Sequence, residues 1–234
     1  MAADGPNNMA ADEVLLESAQ AGIASLRLYG WSTATVSLGY FQPETARRDD
    51  EPLTKLPFVR RPTGGGALVH HHELTYALAL PSGSPWQGRG HRSWLCRMHT
   101  IIADALNELG VCPETVSKEE QARNLLCFHH LTPGDLVVGT AKMVGSAQRK
   151  QRGALLQHGS ILLATSPHAP TLPGIRELTG RTISISEIAA ALEKAFTAKT
   201  GWTLTARDWA PTEQERIEEL VRIRYSEPTW NQKR

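Results

Sequence analysis

The sequence predicts an α+β fold in which helices pack on a mainly antiparallel sheet. Three strand-like segments follow one another at residues 136–138, 141–149 and 154–163, with tight turns between them, which is typical of an antiparallel meander. Apolar residues recur at three- and four-residue spacing in two longer segments, 93–109 and 184–199, which predicts helices. Because strands and helices are grouped rather than alternating, we expect α+β rather than a parallel α/β sheet.

The N-terminal half of the chain is predicted to contain one helix and four strands. The helix covers residues 8–19, with Asn7 or Asn8 placed to cap its first turn. Residues 44–55 are polar and predict a short helix and a loop, whereas the Pro, Gly and Ser residues of 82–90 predict a loop. The four predicted strands are the apolar or alternating segments 26–31, 35–40, 56–59 and 74–80.

The C-terminal part of the chain is predicted to be helical after a Pro-rich loop. Residues 166–182 form that loop, with room for one helical turn. The helix at 184–199 should begin with a capping box, because Ser184 precedes Glu187 by three residues. A last helix is predicted at 213–224. A length of 234 residues suits one large domain, or one domain with a small appendage.

The composition is that of an ordinary globular protein. The 25 Lys and Arg residues nearly balance the 24 Asp and Glu residues, and a net charge of +1 argues against a nucleic-acid-binding face. No apolar run reaches the roughly 18 residues of a membrane helix, and the N-terminus lacks the features of a signal peptide. Cys96, Cys112 and Cys127 are odd in number and widely spaced, which predicts free thiols and a cytoplasmic protein.

A glycine-rich segment separates two of the predicted strands, 56–59 and 74–80. We interpret it as the turn of a hairpin, where closely approaching amides could converge on an anion or a polarised carbonyl. Two adjacent arginines add planar donors suited to phosphate or carboxylate, although surface arginines on a plain hairpin would show the same pattern. The segment reads Arg60-Arg61-Pro62-Thr63-Gly64-Gly65-Gly66-Ala67-Leu68-Val69-His70.

Three residues further along the chain are candidates for chemistry: Lys142, His158 and Cys127. Lys142 lies within a strand of small and apolar residues, where its charge is costly unless it meets an anion or a polar substrate, or unless it reaches solvent from an edge strand. Gly145 and Ser146 leave room for a ligand beside it. His158 could face the same cleft or be a hydrogen-bonded core histidine. Cys127 could carry an acyl group or be a buried structural cysteine.

The run His70-His71-His72 raises the question of a zinc site. Adjacent residues of a strand point to opposite faces of the sheet, so three consecutive histidines cannot all bind one ion without a special bend. We therefore expect no metal.

Taken together, these motifs resemble the lipoate–protein ligase A and octanoyltransferase family, within the biotin/lipoate ligase superfamily. The segment from Arg60 to His70 is similar to the family signature, and residues 142–148 are similar to the segment that carries the family's essential lysine. Cys127, followed by Phe128, resembles the acyl-thioester nucleophile of the octanoyltransferase branch. Two departures are His71, where the family usually has Asp, and a chain that begins at the first helix, where relatives commonly have an extra strand.

The resemblance implies a biotin/lipoate ligase catalytic-domain fold over residues 1–234, with no accessory C-terminal domain. It implies that Cys127 takes an octanoyl (or lipoyl) group from octanoyl–acyl carrier protein and passes it to a lysine of a lipoyl-domain protein, such as the glycine cleavage H protein. Lys142 would favour the thiolate and donate to the oxyanion, and the arginines would hold the phosphopantetheine arm or the acidic carrier. The implied substrate-binding residues are Arg60, Arg61, Thr63, Gly64, Gly65, Gly66, His70, Gly145, Ser146 and His158.

Three alternatives stay open at this point. An ATP-dependent lipoate–protein ligase would use Lys142 and the glycine turn to hold lipoyl-AMP, and only then would ATP and Mg²⁺ be needed. An amidotransferase would move the acyl group between carrier domains by using the same thiol. The third alternative is a non-catalytic acyl- or nucleotide-binding relative. His71 in place of Asp supports this alternative, whereas the presence of both Cys127 and Lys142 argues against it.

Overall fold

Two β-sheets, one of seven strands and one of three, organise residues 2–49, 51–84, 93–119 and 125–233, which the computed structural model describes. Strands β1 to β10 in these ranges are Ala2–Ala3, Ser25–Trp31, Thr35–Leu38, Phe58–Arg60, Leu68–His70, Glu73–Leu80, Glu114–Thr115, Leu136–Val138, Ala141–Gln151 and Ala154–Leu162. Helices α1 to α7 are Gly5–Gln20, Glu51–Thr54, Trp94–Glu108, Ile175–Thr179, Ile185–Thr200, Pro211–Leu220 and Pro228–Asn231. The predicted α+β class is confirmed.

The large sheet has the strand order β1-β2-β6-β10-β9-β8-β7 and is antiparallel apart from the pair β1–β2. The predicted meander is confirmed as β8, β9 and β10. Arg152 and Gly153 connect β9 to β10 with φ values of 49° and 82°, the positive angles that a two-residue type I′ hairpin turn requires. This hairpin keeps Gly145, Ser146 and His158 on two neighbouring strands.

Both faces of the large sheet are covered by helices, and the side chains of β6 show why. Leu74, Leu78 and Leu80 pack in the core shared with α3 and α5. Ala77 and Ala79 belong to the core on the other face, where α1 and α6 pack. The small residues on that face let α1 approach the strand closely. As a result, α1 forms one side of the space above the central strands of the sheet. None of the described helices is long and apolar enough to cross a bilayer.

The glycine-rich segment is not a hairpin turn, and the prediction that 56–59 pairs with 74–80 is wrong. The small sheet has the order β4-β3-β5, so β3 lies between the two strands that flank the segment, and β6 belongs to the large sheet. The strand β5, which includes His70, was not predicted. His71 and His72 alone separate β5 from β6, so the chain passes from one sheet to the other within two residues.

The N-terminus also differs from expectation. Asp4, rather than Asn7 or Asn8, caps α1, because its side chain accepts a hydrogen bond from the amide of Asn7. Asn8 is buried and its side-chain amide donates to the carbonyls of Ala3 (3.0 Å) and Gly30 (3.1 Å), which ties β1 to β2. The chain therefore does have a short strand before its first helix.

Most other predicted elements have counterparts in the structure. The capping box of Ser184 and Glu187 begins α5 as predicted, and α4 is the helical turn expected in the Pro-rich loop. The predicted last helix is α6, continued by a π-helical turn at Val221–Tyr225. The predicted loop at 82–90 lies outside the described residues from position 85 onward.

The C-terminal helix is fastened to the small sheet through Arg60. The Arg60 side chain is fully buried, and its guanidinium donates to the carbonyls of Asn231 (2.9 Å), Gly39 (2.9 Å) and Gln42 (2.6 Å). The Asn231 side chain accepts a hydrogen bond from the amide of Arg60, and the Trp230 indole donates to the main-chain carbonyl of Arg60. One side chain thus connects β4, the end of β3 and α7.

We expect the Arg60→Met substitution to lower the free energy of unfolding by about 3 kcal/mol, because several buried carbonyls lose their donor. Urea unfolding followed by circular dichroism measures this difference. Arg222→Met is the matched control, since Arg222 is exposed. Equal stability of the two variants would show that the Arg60 contacts contribute little.

Candidate active site

A cavity opens between the large sheet, α1 and the glycine-rich segment. Its wall combines one thiol, one guanidinium, two imidazoles and several hydroxyls with an apolar surface. The polar residues that line it include Arg61, His70, Cys127, Ser146, His158 and Ser160. The apolar and aromatic residues include Met9, Tyr29, Trp31, Leu68, Phe128 and Ala147.

Cys127 reaches the cavity because its segment pairs with the glycine-rich segment. The Cys127 amide donates to the carbonyl of Ala67 (2.8 Å), and the Ala67 amide donates to the carbonyl of Leu125 (3.1 Å). A Cβ atom at Gly66 would lie 3.1 Å from the Cα atom of Cys127, so this close approach of two backbones favours glycine. Two motifs about sixty positions apart therefore meet at one wall.

Arg61 places a buried positive charge at the cavity. Its two terminal nitrogens donate to the carbonyls of Ser37 (3.0 Å), Gly64 (2.8 Å) and Gly66 (2.6 Å), whereas its Nε has no hydrogen-bond partner among the described residues. Burial lowers the pKa of Arg61 to about 10, and the Cys127 thiolate acts in the opposite direction. Arg61 forms no ion pair with a described carboxylate, so its charge is available to a thiolate at Cys127.

His158 is held in the wall by hydrogen bonds at both ring nitrogens. Its Nδ1 lies 2.9 Å from a carboxylate oxygen of Asp12, and its Nε2 lies 2.7 Å from the Thr63 hydroxyl. The same Asp12 oxygen accepts a hydrogen bond from Tyr29, and burial together with Asp12 raises the pKa of Tyr29 well above its usual value. Asp12 was not predicted as a site residue, because it is one of three carboxylates, with Glu13 and Glu17, in the predicted helix 8–19.

His70 occupies a similar setting on the other side of the cavity. Its ring stacks on Trp31 at 3.8 Å, its Nδ1 lies 2.6 Å from a carboxylate oxygen of Glu73, and its Nε2 lies 2.7 Å from the Ser37 hydroxyl. Ser37 also accepts a hydrogen bond from Arg61. His70 therefore connects Arg61 to a buried carboxylate through one hydroxyl group.

Lys142 is close to the cavity but does not line it. Its side chain is almost fully buried, with Nζ 2.7 Å from Asp135 and 3.0 Å from the carbonyl of His130. It lies behind Gly145, where an added Cβ would come within 2.6 Å of the lysine Cε. This geometry does not support the prediction that Lys142 itself meets the substrate, because Lys142 is not among the lining residues and its amine is paired with Asp135.

The structure divides the other predicted site residues into two groups. Gly65, Gly145 and Ser146 line the cavity, as do Arg61, His70, Cys127 and His158. Thr63, Gly64 and Gly66 do not line the cavity but contact residues that do. Thr63 contacts His158, Gly64 and Gly66 accept hydrogen bonds from Arg61, and Gly66 lies against Cys127. The prediction that Arg60 binds a phosphate or carboxylate of the substrate is wrong, because its guanidinium is fully buried and holds main-chain carbonyls.

The remaining histidines of the predicted run lie away from the cavity. The His71 ring stacks on that of His72 at 3.8 Å, and its Nδ1 lies 3.1 Å from the Ser166 hydroxyl. Within the part of the chain that the structure describes, no three His, Cys, Asp or Glu residues are arranged to hold a metal ion.

A second polar cluster, which the sequence did not reveal, lies behind Ser146. The Ser146 hydroxyl contacts the Nε2 atom of His99 on α3 and lies 2.8 Å from the Tyr76 hydroxyl. His99 and Tyr76 are both buried. The available signal was a histidine on the apolar face of the amphipathic helix 93–109.

The chain matches the family model of the lipoyl protein ligase A/B catalytic domain over residues 4–172. Octanoyltransferase LipM of Geobacillus kaustophilus is 33% identical to it, over 97% of this chain and 94% of the relative. The LipM proteins of Kyrpidia tusciae, at 32% identity over 96% of this chain and 93% of the relative, and of Brevibacillus brevis, at 33% over 97% and 94%, are similar as well.

Solved structures share the fold at lower sequence identity. Lipoate-protein ligase A bound with ATP superposes with a TM-score of 0.79 and 23% identity, over 97% of this chain and 93% of that chain. A bi-partite lipoate protein ligase from Thermoplasma acidophilum has a TM-score of 0.72 and 19% identity, over 97% and 91%. At such identities these structures show a common fold.

We expect Arg61→Met to slow the alkylation of Cys127 by iodoacetamide at neutral pH by about tenfold, which corresponds to about 1.4 kcal/mol, because the nearby charge favours the thiolate. Peptide mass spectrometry measures the rate at each cysteine. The exposed Cys112 is the internal control. Arg61→Lys should retain part of the rate, and unchanged alkylation of Cys127 in Arg61→Met would contradict the assignment.

Proposed function

The chain belongs to the family of lipoyl protein ligase A/B catalytic domains and is an octanoyltransferase of lipoate biosynthesis, and we propose that it moves the octanoyl group through a thioester on Cys127. The resemblance drawn from the motifs is confirmed. The observation that carries the proposal is the position of Cys127, on a cavity wall beside a buried guanidinium that forms no ion pair with a described carboxylate.

In the first step, the Cys127 thiolate attacks the carbonyl carbon of the octanoyl thioester. A new C–S bond forms, the bond to the donor's sulfur breaks, and the donor leaves as a thiolate that takes up a proton. The Arg61 charge favours the attacking thiolate and the negative charge that develops on the carbonyl oxygen.

The apolar side of the cavity suits a saturated acyl chain. Tyr29, Trp31 and Leu68 line this side of the cavity, together with the flexible side chain of Met9 and the flat ring of Phe128. Burying methylene groups against such a wall stabilises the bound chain by about 0.8 kcal/mol per group. This surface binds the hydrocarbon, and the polar residues surround the reacting carbonyl.

We propose octanoyl–acyl carrier protein as the donor and a lysine of a lipoyl-domain protein, such as the glycine cleavage H protein, as the acceptor. The incoming thioester already carries the activation, so the proposed reaction needs neither ATP nor a metal. In the second step, the lysine amine attacks the acyl-enzyme and an amide bond forms as the C–S bond breaks. Cys127 leaves as a thiolate, which then takes up the proton that the amine has lost.

Lys142 acts in this proposal as a positioning residue. Its amine donates to the carbonyl of His130, and the His130 amide donates to the carbonyl of Cys127 (3.0 Å). Asp135 compensates its charge at 2.7 Å. Lys142 therefore stabilises the turn that holds Cys127, and Arg61 supplies the charge that the thiol meets.

The proposal is tested by the intact mass of the protein after mixing with octanoyl–acyl carrier protein in the absence of ATP. We expect the wild type and the control variant Cys112→Ser to gain one octanoyl group, and Cys127→Ser to gain none, because the nucleophile is removed. Hydroxylamine should release the adduct, as expected for a thioester.

Two other results would contradict the proposal. Equal labelling of Cys127→Ser would place the acyl group on another residue. Absence of an adduct in the wild type, combined with acceptor labelling from free acid and ATP, would indicate an ATP-dependent ligase.

A further inference from the structure

A chain of buried hydrogen bonds runs from the centre of the large sheet to α3 and passes through one residue of the cavity. Gln157 donates to the Tyr76 hydroxyl (2.8 Å), and the Tyr76 and Ser146 hydroxyls are 2.8 Å apart. Ser146 contacts Nε2 of His99, whose Nδ1 lies 2.5 Å from the carbonyl of Gly134. Ser146 lines the cavity, whereas His99 lies behind it.

The direction of each hydrogen bond follows from the chemistry of its partners. A carbonyl only accepts, so the proton of a neutral His99 ring lies on Nδ1, and Nε2 is left as an acceptor. Burial lowers the pKa of His99, with Lys142 acting in the same direction and Asp135 and Gly134 in the opposite one, which favours the neutral ring. Ser146 must then donate to His99 and accept from Tyr76.

This arrangement leaves one lone pair of the Ser146 oxygen without a hydrogen-bond partner among the described residues. The same cavity contains Cys127. An acceptor at this position is of no use to a thiolate, but it suits a nucleophile that carries N–H groups. Lys142, the other base nearby, is held by Asp135 and His130 behind Gly145.

We propose that Ser146 and His99 form a proton relay for the second half-reaction, in which an amine attacks the acyl-enzyme. This inference rests on the proposed Cys127 thioester. Ser146 is the catalytic residue, because it touches the incoming amine, and His99 is a positioning residue that acts through Ser146. Tyr76 orients the serine hydroxyl toward His99.

The relay balances the protons of the transfer. The amine nitrogen bonds to the octanoyl carbonyl carbon while donating its proton to the Ser146 oxygen, and the serine passes its own proton to Nε2 of His99. The C–S bond breaks and Cys127 leaves as a thiolate. The proton then returns through Ser146 to the thiolate, and His99 becomes neutral again, as its buried position favours.

The test compares the rate at which the acyl-enzyme reacts with the acceptor amine and with a nucleophile that needs no base. The octanoyl-enzyme is prepared from wild type, Ser146→Ala, His99→Asn and the control variant Thr100→Ala, and its decay is followed by intact mass. The asparagine of His99→Asn can still donate to the Gly134 carbonyl. Each acyl-enzyme is mixed either with a lipoyl-domain protein or with hydroxylamine, which is largely unprotonated at neutral pH.

We expect Ser146→Ala and His99→Asn to slow transfer to the lipoyl domain by about 100-fold, the usual contribution of a general base. Reaction with hydroxylamine should match the wild type, and Thr100→Ala should be normal with both nucleophiles. Equal slowing with both nucleophiles would show a merely structural role and overturn the relay, as would normal transfer to the lipoyl domain.

Two outcomes at the stage of acyl-enzyme formation would also decide the question. Variants that form no acyl-enzyme, when the wild type does, would place Ser146 and His99 in the first step and overturn their assignment to the second. A wild type that forms no acyl-enzyme would overturn the proposed function itself, together with this inference.

Discussion

The buried charge of Arg61 is the constraint on which the rest of the site depends. A guanidinium taken out of water is costly unless its donors are satisfied, and here main-chain carbonyls satisfy the terminal nitrogens. Those carbonyls belong to Ser37 and to the glycines of the family motif. The glycine-rich segment is therefore folded around a cation from its own sequence, and its carbonyls, rather than its amides, converge on the centre.

This arrangement explains which parts of the site could be predicted from the sequence. The meeting of the glycine motif, Cys127 and His158 followed from motifs that each point to chemistry. The different locations of the Arg60 and Arg61 side chains were not predicted, although alternation along a strand places neighbouring side chains on opposite sides. Arg60, at the end of β4, reaches the C-terminal helix, and the next residue, Arg61, reaches the cavity.

The missed residues share a physical reason. Asp12 and His99 are buried polar groups that lie in helices predicted to pack on the sheet. Periodicity assigns such positions to the interior but does not identify their partners, because each partner is remote in sequence: His158 for Asp12, and Ser146 for His99. The hairpin error has the same origin, since the strand that separates β4 from β5 comes from an earlier part of the chain.

The distribution of buried acids around the cavity then accounts for its chemistry. Asp12 meets His158, Glu73 meets His70, and Asp135 meets Lys142, so three basic side chains near the cavity each have a carboxylate partner. Among the described residues at its wall, Arg61 is the base without one. These three contacts position the site, and the one cation at the wall without a described carboxylate partner lines the same cavity as Cys127. In the proposed reaction, this arrangement directs the charge of Arg61 to Cys127.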